Sequence, residues 1–145
     1  MRITLDTNVL VSGHSPGSGD SRRLLLKILR DGHRLVLSQT ILYELEEVLR
    51  YPRIRQLYRL TDAQICAYVE TLTDVAELVN IGRPVEIPLT DRDDWAVLRT
   101  AMDGNAEVLC TNDGGFYKAP VLAFCAQYSL RVMKPQDLLA LLSRP

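Results

Sequence analysis

The sequence predicts an α/β fold, a three-layer α/β/α sandwich with a mainly parallel central sheet. Three observations carry this expectation. Short β-prone runs alternate with helical stripes along the chain. The 145 residues match one ordinary domain, large enough to bury a normal core without disulfides. No internal repeat, interdomain linker or low-complexity tail interrupts them, so residues 1–145 read as a single domain.

The elements follow in order. Arg2, Ile3, Thr4 and Leu5 form a first strand, stopped by Asp6, Thr7 and Asn8. Residues 9–12 continue apolar, and residues 13–20, rich in Gly, Ser and Pro, read as a loop. Residues 21–31 carry Leu24, Leu25, Ile28 and Leu29 at helical spacing and end at Gly32. Residues 34–37 are a second strand. Ser38 is placed to cap a helix that runs to about residue 50 and stops before Pro52. A longer helix opens at Thr61 or Asp62 and extends to about residue 80. Residues 85–89 suggest a short strand among prolines. Thr90 is placed to cap a helix over residues 91–103, with Gly104 as its stop. Residues 107–110 form a strand, residues 111–114 turn out of it, and residues 121–128 form a helix. Residues 130–133 suggest a last strand, and Pro135 opens a terminal helix.

Composition narrows the function. Apolar residues make up 47% and charged residues 24%, which excludes disordered, collagen-like and rod-like chains. With 17 basic and 18 acidic side chains, a uniformly basic nucleic-acid coat is excluded, and only a local basic patch remains open. No apolar run is long enough to span a bilayer, and the first strand starts at Arg2, so no secretory signal is expected. Cys66, Cys110 and Cys125 read as buried, reduced thiols of a cytoplasmic protein. His14 and His33 are expected in solvent, and no nucleophile–histidine pair is evident. The loop over residues 13–19 lacks Gly-Lys-Ser/Thr and is no P-loop.

Carboxylates carry the chemistry. In open α/β sheets ligands bind beyond the carboxyl ends of the strands. Asp6 ends the first strand and Asp113 follows the fourth. At about 100° per residue, Leu98 lies at about 40° from Asp94, Ala101 at about 340°, Val97 at about 300° and Met102 at about 80°. Asp94 therefore sits inside an apolar stripe, where an unpartnered carboxylate is costly. Asp91 shares that face, whereas Asp93 falls on the solvent side, so Asp94→Asn should abolish chemistry while Asp93→Asn is nearly silent. In the helix after the second strand, Glu44 and Glu46 flank the apolar stripe on opposite edges. Periodicity does not choose between them, but Glu44 lies nearer the helix start. Each acid has a plain reading: Asx-turns at Asp6 and Asp113, helix N-terminal charges at Asp91 and Asp94, a solvated charge at Glu44. Together they are less easily explained, because gathered carboxylates repel unless a cation is present. Hard oxygen ligands suit Mg²⁺ or Mn²⁺, which can activate water and stabilise phosphoryl charge.

These residues make the chain resemble the PIN domain, a metal-dependent nuclease family, and within it the toxins of VapC-like toxin–antitoxin systems. The resemblance covers about residues 1–140. It rests on Ile3-Thr4-Leu5-Asp6-Thr7-Asn8, on Ser38 followed by Glu44, on Asp91-x-x-Asp94-x-x-x-Leu98, and on the strand ending Thr111-Asn112-Asp113. It implies that Asp6, Glu44, Asp94 and Asp113 hold one or two Mg²⁺ or Mn²⁺ ions and support hydrolysis of an RNA phosphodiester. Asp91, Thr7, Asn8, Ser38 and Thr111 would orient ligands or water, with Asp91 also able to replace Asp94 as a ligand. It further implies sheet order 3-2-1-4-5, a cognate antitoxin partner and a homodimer. Asn112 and Trp95 depart from the family's usual residues, without removing a carboxylate.

Arg50, Arg53, Arg55 and Arg59, interleaved with Tyr51 and Tyr58, suit RNA phosphates and bases, or form a solvated connector. Arg22, Arg23 and Lys27 would add a basic rim. The competing expectations are a non-catalytic PIN-like module that binds RNA or protein, and a response-regulator-like domain. The latter is disfavoured because neither Lys118 nor Lys134 occupies the expected late position.

Overall fold

Five parallel strands in the order β3-β2-β1-β4-β5 form the centre of the molecule. They are β1 (Arg2–Leu5), β2 (Arg34–Leu37), β3 (Glu77–Leu78), β4 (Val108–Cys110) and β5 (Arg131–Met133). The computed structural model describes residues 1–14, 19–82, 87–89 and 91–145, and the side chains of Arg92 and Asp93 are outside that description. In β1, Ile3 lies opposite Leu35 of β2 on one side and Val108 of β4 on the other. Ile3, Thr4 and Leu5 are all buried, and the Thr4 hydroxyl is accommodated by donating to the Val36 carbonyl at 2.9 Å.

The helices are α1 (Thr7–Gly13), α2 (Asp20–Arg30), α3 (Gln39–Leu49), α4 (Pro52–Tyr58), α5 (Asp62–Val75), α6 (Arg92–Asp103), α7 (Ala119–Ala126) and α8 (Pro135–Leu142). Helix α2 packs with α1 and α8, and α3 packs with α1 and α5. Helix α6 lies against β1, β2 and β4, and α7 against β5. Leu24, Leu25 and Ile28 of α2 are buried, as the apolar stripe requires. Ser38 caps α3 by accepting from the Ile41 N–H at 3.3 Å. Thr61 and Gln64 close a capping box on α5.

The predicted sheet order and parallel pairing are observed. Several element assignments change. Residues 7–13 form α1 because Asp6 caps them. Pro52 does end α3, but it also starts α4, since proline at the first helical position loses no hydrogen bond. Helix α5 stops at Val75, where Ala76 turns extended (φ −82°, ψ 151°), so a strand forms at Glu77–Leu78, and residues 87–89 of the expected 85–89 strand are not in a strand. A two-residue edge strand has no periodicity to read; its partner Arg2 sets its place. Within residues 85–89, residues 85 and 86 lie outside the described residues, as do the Thr90 cap and the orientation of Asp93. Gly104 ends α6 because of a close approach: a Cβ there would collide with Val36 Cγ1 and the Thr100 carbonyl.

The chain builds outward from β1 to β3 and then returns to β4 and β5. The order therefore reverses between β1 and β4, which in open α/β sheets opens the ligand crevice.

Candidate active site

Asp6 and Asp113 stand on either side of that reversal. Asp6 directly follows β1, and its Oδ1 accepts from the Thr7 N–H at 2.7 Å, capping α1. Its own N–H donates to the Cys110 carbonyl at 2.9 Å, joining the ends of β1 and β4. Its Oδ2 accepts from the Thr111 hydroxyl at 2.6 Å. The same hydroxyl oxygen accepts from the Asp113 N–H at 3.0 Å, and Asp113 Oδ1 accepts from the Gly115 N–H at 2.9 Å. One threonine thus bridges the acids that follow two adjacent strands. Asp6 is 5% exposed. Burial pushes its carboxyl above the ordinary value; hydrogen bonds from Thr111 and Thr7 oppose this, and the charge of Asp113 adds to it.

Asp94 enters from the first turn of α6, on the helix face whose Val97, Leu98 and Ala101 are buried. It is half-buried. Burial is the largest cause that pushes Asp94 up to about 7, followed by the charges of Asp113, Asp6 and Asp91. Acids from three separate stretches of the sequence, Asp6, Asp91 with Asp94, and Asp113, therefore sense one another at one place. The facial argument from periodicity holds for Asp94.

Glu44 resolves the ambiguity left by periodicity. Its Oε2 accepts from the Thr7 hydroxyl at 3.1 Å, adjoining Asp6, whereas Glu46 pairs with Arg50 at 3.1 Å. Ser38 is buried, and its hydroxyl is hydrogen-bonded to that of Thr100 at 2.8 Å, tying α3 to α6. Asn8 is exposed on α1. Sequence reasoning missed Thr100 and also Tyr117, whose hydroxyl donates to the Thr111 carbonyl at 2.7 Å and steadies the end of β4. Neither carried a periodic signal. Trp95 donates from Nε1 to the Leu89 carbonyl at 2.8 Å, so its ring packs the approach to α6.

Three expectations change. Cys66 is exposed, 3.7 Å from Arg50, because its face of α5 points away from the core; Cys110 and Cys125 are buried. His14 is half-buried, edge-on to Tyr68 with ring centroids 4.9 Å apart, and burial lowers its pKa, aided by Arg22. His33 is only partly exposed, with Nδ1 3.2 Å from the Met1 amine. Among the basic residues, Arg50 and Arg55 pair with Asp62 at 2.8 and 3.1 Å. Arg53 and Arg59 are exposed on and just after α4. Arg23 pairs with Asp20, Lys27 pairs with Asp31, and Arg22 donates to the Gly13 carbonyl.

The donor set consists of hard carboxylate oxygens with hydroxyls beside them, which fits Mg²⁺ or Mn²⁺ in chemistry. Among the described residues, no group of three or more His, Cys, Asp or Glu side chains is closed into a geometry ready to hold an ion. The charges of Asp113, Asp6 and Asp91 that raise the Asp94 pKa are a repulsion that a divalent cation would relieve.

An open parallel sheet with acids converging at its switch point defines a class, and comparison with known families gives it a name. Residues 2–114 match the PIN domain model, and the chain belongs to the PIN domain family. PIN domains are generally nucleases and generally use divalent metal ions. No curated protein matches the chain significantly. Among solved structures, the chain is similar to one in VapBC2 from Rickettsia felis bound to a DNA fragment from their promoter. The TM-score is 0.58 at 17% identity, over 92% of this chain and 98% of that one, a likeness of fold. No helix among the described residues is long and apolar enough to cross a membrane.

Proposed function

We propose that this PIN domain, taken as one unit over residues 1–145, is a divalent-metal-dependent endoribonuclease and the toxin of a toxin–antitoxin pair. The observation that carries the reading is the meeting of Asp6, Asp94 and Asp113, with Asp91 within electrostatic reach, at the β1/β4 reversal. A binding module gains nothing from gathering acids that raise one another's pKa, whereas a metal-dependent hydrolase needs them.

Asp6, Glu44, Asp94 and Asp113 would hold one or two Mg²⁺ or Mn²⁺ ions. Such an ion supplies an activated water and charge stabilisation at the scissile phosphate. Thr111 fixes the orientation of Asp6 and the backbone of Asp113, and Thr7 aims Glu44. Asp91 reinforces the local negative field, and Asn8 and Ser38 complete the polar surroundings. Arg53 and Arg59 would contact RNA phosphates, with Arg50 and Arg55 exchanging Asp62 for them. The VapBC2 likeness supports an antitoxin partner, and a homodimer would suit the same class.

The test is cleavage of mixed single-stranded and structured RNAs with Mn²⁺ or Mg²⁺, against EDTA and Asp94→Asn controls. Cutting that both controls abolish is the expected result. Absence of cutting by folded protein with demonstrated metal binding would transfer the assignment to a non-cutting RNA- or protein-binding module. Co-purification with the product of a neighbouring short reading frame, with loss of cutting, would test the toxin assignment separately.

A further inference from the structure

A groove of about 420 Å³ runs along the outer face of α3 and is lined by Thr40, Tyr43, Glu44, Glu47, Tyr51 and, from α6, Ala96. Tyr43 and Glu47, four residues apart, share one face of α3, and Tyr51, just beyond that helix at the start of α4, lines the same groove. Tyr43 is 65% exposed and Tyr51 48%, an unusual display of aromatic surface beside charge. The Tyr51 hydroxyl donates to Glu47 Oε1 at 3.3 Å, which steadies the carboxylate within the groove. Glu44 belongs to this groove and, through Thr7, to the acidic cluster, so the two are continuous.

We infer that the groove is a nucleobase subsite, and that it receives a guanine of single-stranded RNA next to the cut phosphate. The inference rests on the ribonuclease reading and adds the substrate class and base preference. Exposed tyrosine rings stack unpaired bases, which a duplex withholds. Glu47, which lies outside the metal set, repels phosphates, so the part of the RNA that faces it is a base edge. An ionised carboxylate is acceptor-only with two oxygens. Guanine is the one base whose Watson–Crick edge offers two adjacent donors, N1–H and N2–H. Adenine and cytosine place a ring-nitrogen acceptor beside their amino group, and uracil flanks its N3–H with two carbonyls. The backbone then has a path away from the acids, because Arg53 and Arg59 are exposed immediately beyond Tyr51.

The test uses full-length protein carrying Asp94→Asn, in EDTA, so that binding is read without cleavage. The probes are labelled oligouridine strands, one unmodified and three bearing a single central G, A or C, followed by fluorescence anisotropy. The G strand should bind about tenfold tighter than the others. Glu47→Gln should erase that preference while leaving oligouridine binding in place. Tyr43→Ala and Tyr51→Ala should each weaken all strands by about tenfold, the scale of one lost base stack. Equal binding of the four strands, or tyrosine variants indistinguishable from the parent with circular dichroism unchanged, would overturn the subsite. So would a change in sedimentation caused by the tyrosine variants, which would mark this face as a protein contact. The ribonuclease reading fails differently: in that case the parental protein with Asp94 restored does not cut in Mn²⁺, even where strand binding is normal. Conversely, metal-dependent cutting whose product ends are unchanged by Glu47→Gln would retain the nuclease and reject the guanine subsite.

Discussion

The two ends of the sheet treat charge in opposite ways. At the amino ends of β1 to β3, Arg2 donates to both oxygens of Glu77 at 2.8 and 3.0 Å and to the Gly104 carbonyl at 2.9 and 2.6 Å. Arg34 approaches the same carboxylate at 3.8 Å. Glu77 is accordingly held below its ordinary pKa, first by the hydrogen bond from Arg2. At the carboxyl ends of β1 and β4, like charges meet instead. Among the described residues, no Lys or Arg forms a salt bridge with Asp6, Asp94 or Asp113. One end is built as a structural clamp. The other retains an electrostatic cost that stability alone would not select, which is the physical ground of the proposed site.

Substitutions at the two ends should therefore separate activity from stability. The largest effect is expected from Asp6→Asn and Asp94→Asn, each lowering the RNA cleavage rate in Mn²⁺ by roughly 100-fold or more with circular dichroism unchanged. Arg2→Met should do the reverse, lowering the thermal midpoint while the cleavage rate per folded molecule stays constant. Comparable activity losses at both ends would erase the distinction. Gly104→Ala sharpens it from the packing side. The added Cβ meets Val36 and the Thr100 carbonyl, and overpacking at so closed a place should cost about 1–3 kcal/mol in urea denaturation.

Thr111 tests whether the acids need their support. Thr111→Val keeps the shape but strips the hydroxyl that donates to Asp6 and accepts from Asp113. Cleavage should fall about tenfold, as for residues that orient metal ligands, and Thr111→Ser should restore most of it. A valine variant with full activity would leave the threonine a structural role only.

The acidic end of this contrast was legible in the sequence, the clamp at the other end was not, and the exceptions have physical causes. Asp94 was identifiable because a helix has a period, and an acid inside an apolar stripe violates it. Asp6 and Asp113 were identifiable because strand ends in an alternating α/β pattern define where a crevice opens. Periodicity did not separate Glu44 from Glu46, since both flank the stripe, and the choice of Glu44 rested on its place near the helix start and on the resemblance; the contacts with Thr7 and Arg50 that distinguish the two are made through tertiary structure. The edge strand Glu77–Leu78 was absorbed into the preceding helix, because its position depends on Arg2, 75 residues away in sequence. Thr100 and Tyr117 escaped for the same reason. Their hydroxyls act on Ser38 and Thr111 across elements, and no local pattern encodes such pairs.

The smallest effect follows from the raised pKa of Asp94. Folded Asp94 keeps its proton up to about pH 7, whereas its ordinary value is 3.8. Between those values the folded state binds more protons than the unfolded state, so this group's contribution to stability declines as pH rises and is flat above about 7. Metal-free protein should accordingly lose roughly 3 °C of thermal midpoint between pH 5 and pH 7.5 from this residue, on the scale of about 1 kcal/mol. Partial exposure of the carboxyl screens the repulsion and holds the effect to that size. Asp94→Asn should remove that part of the slope, standing above the parent at pH 7.5 and converging with it toward pH 4. Mg²⁺ at pH 7.5 should raise the parent's midpoint more than the variant's, because the cation and the proton relieve the same repulsion. A slope that survives Asp94→Asn unchanged would mean that the charges at this end of the sheet are compensated after all.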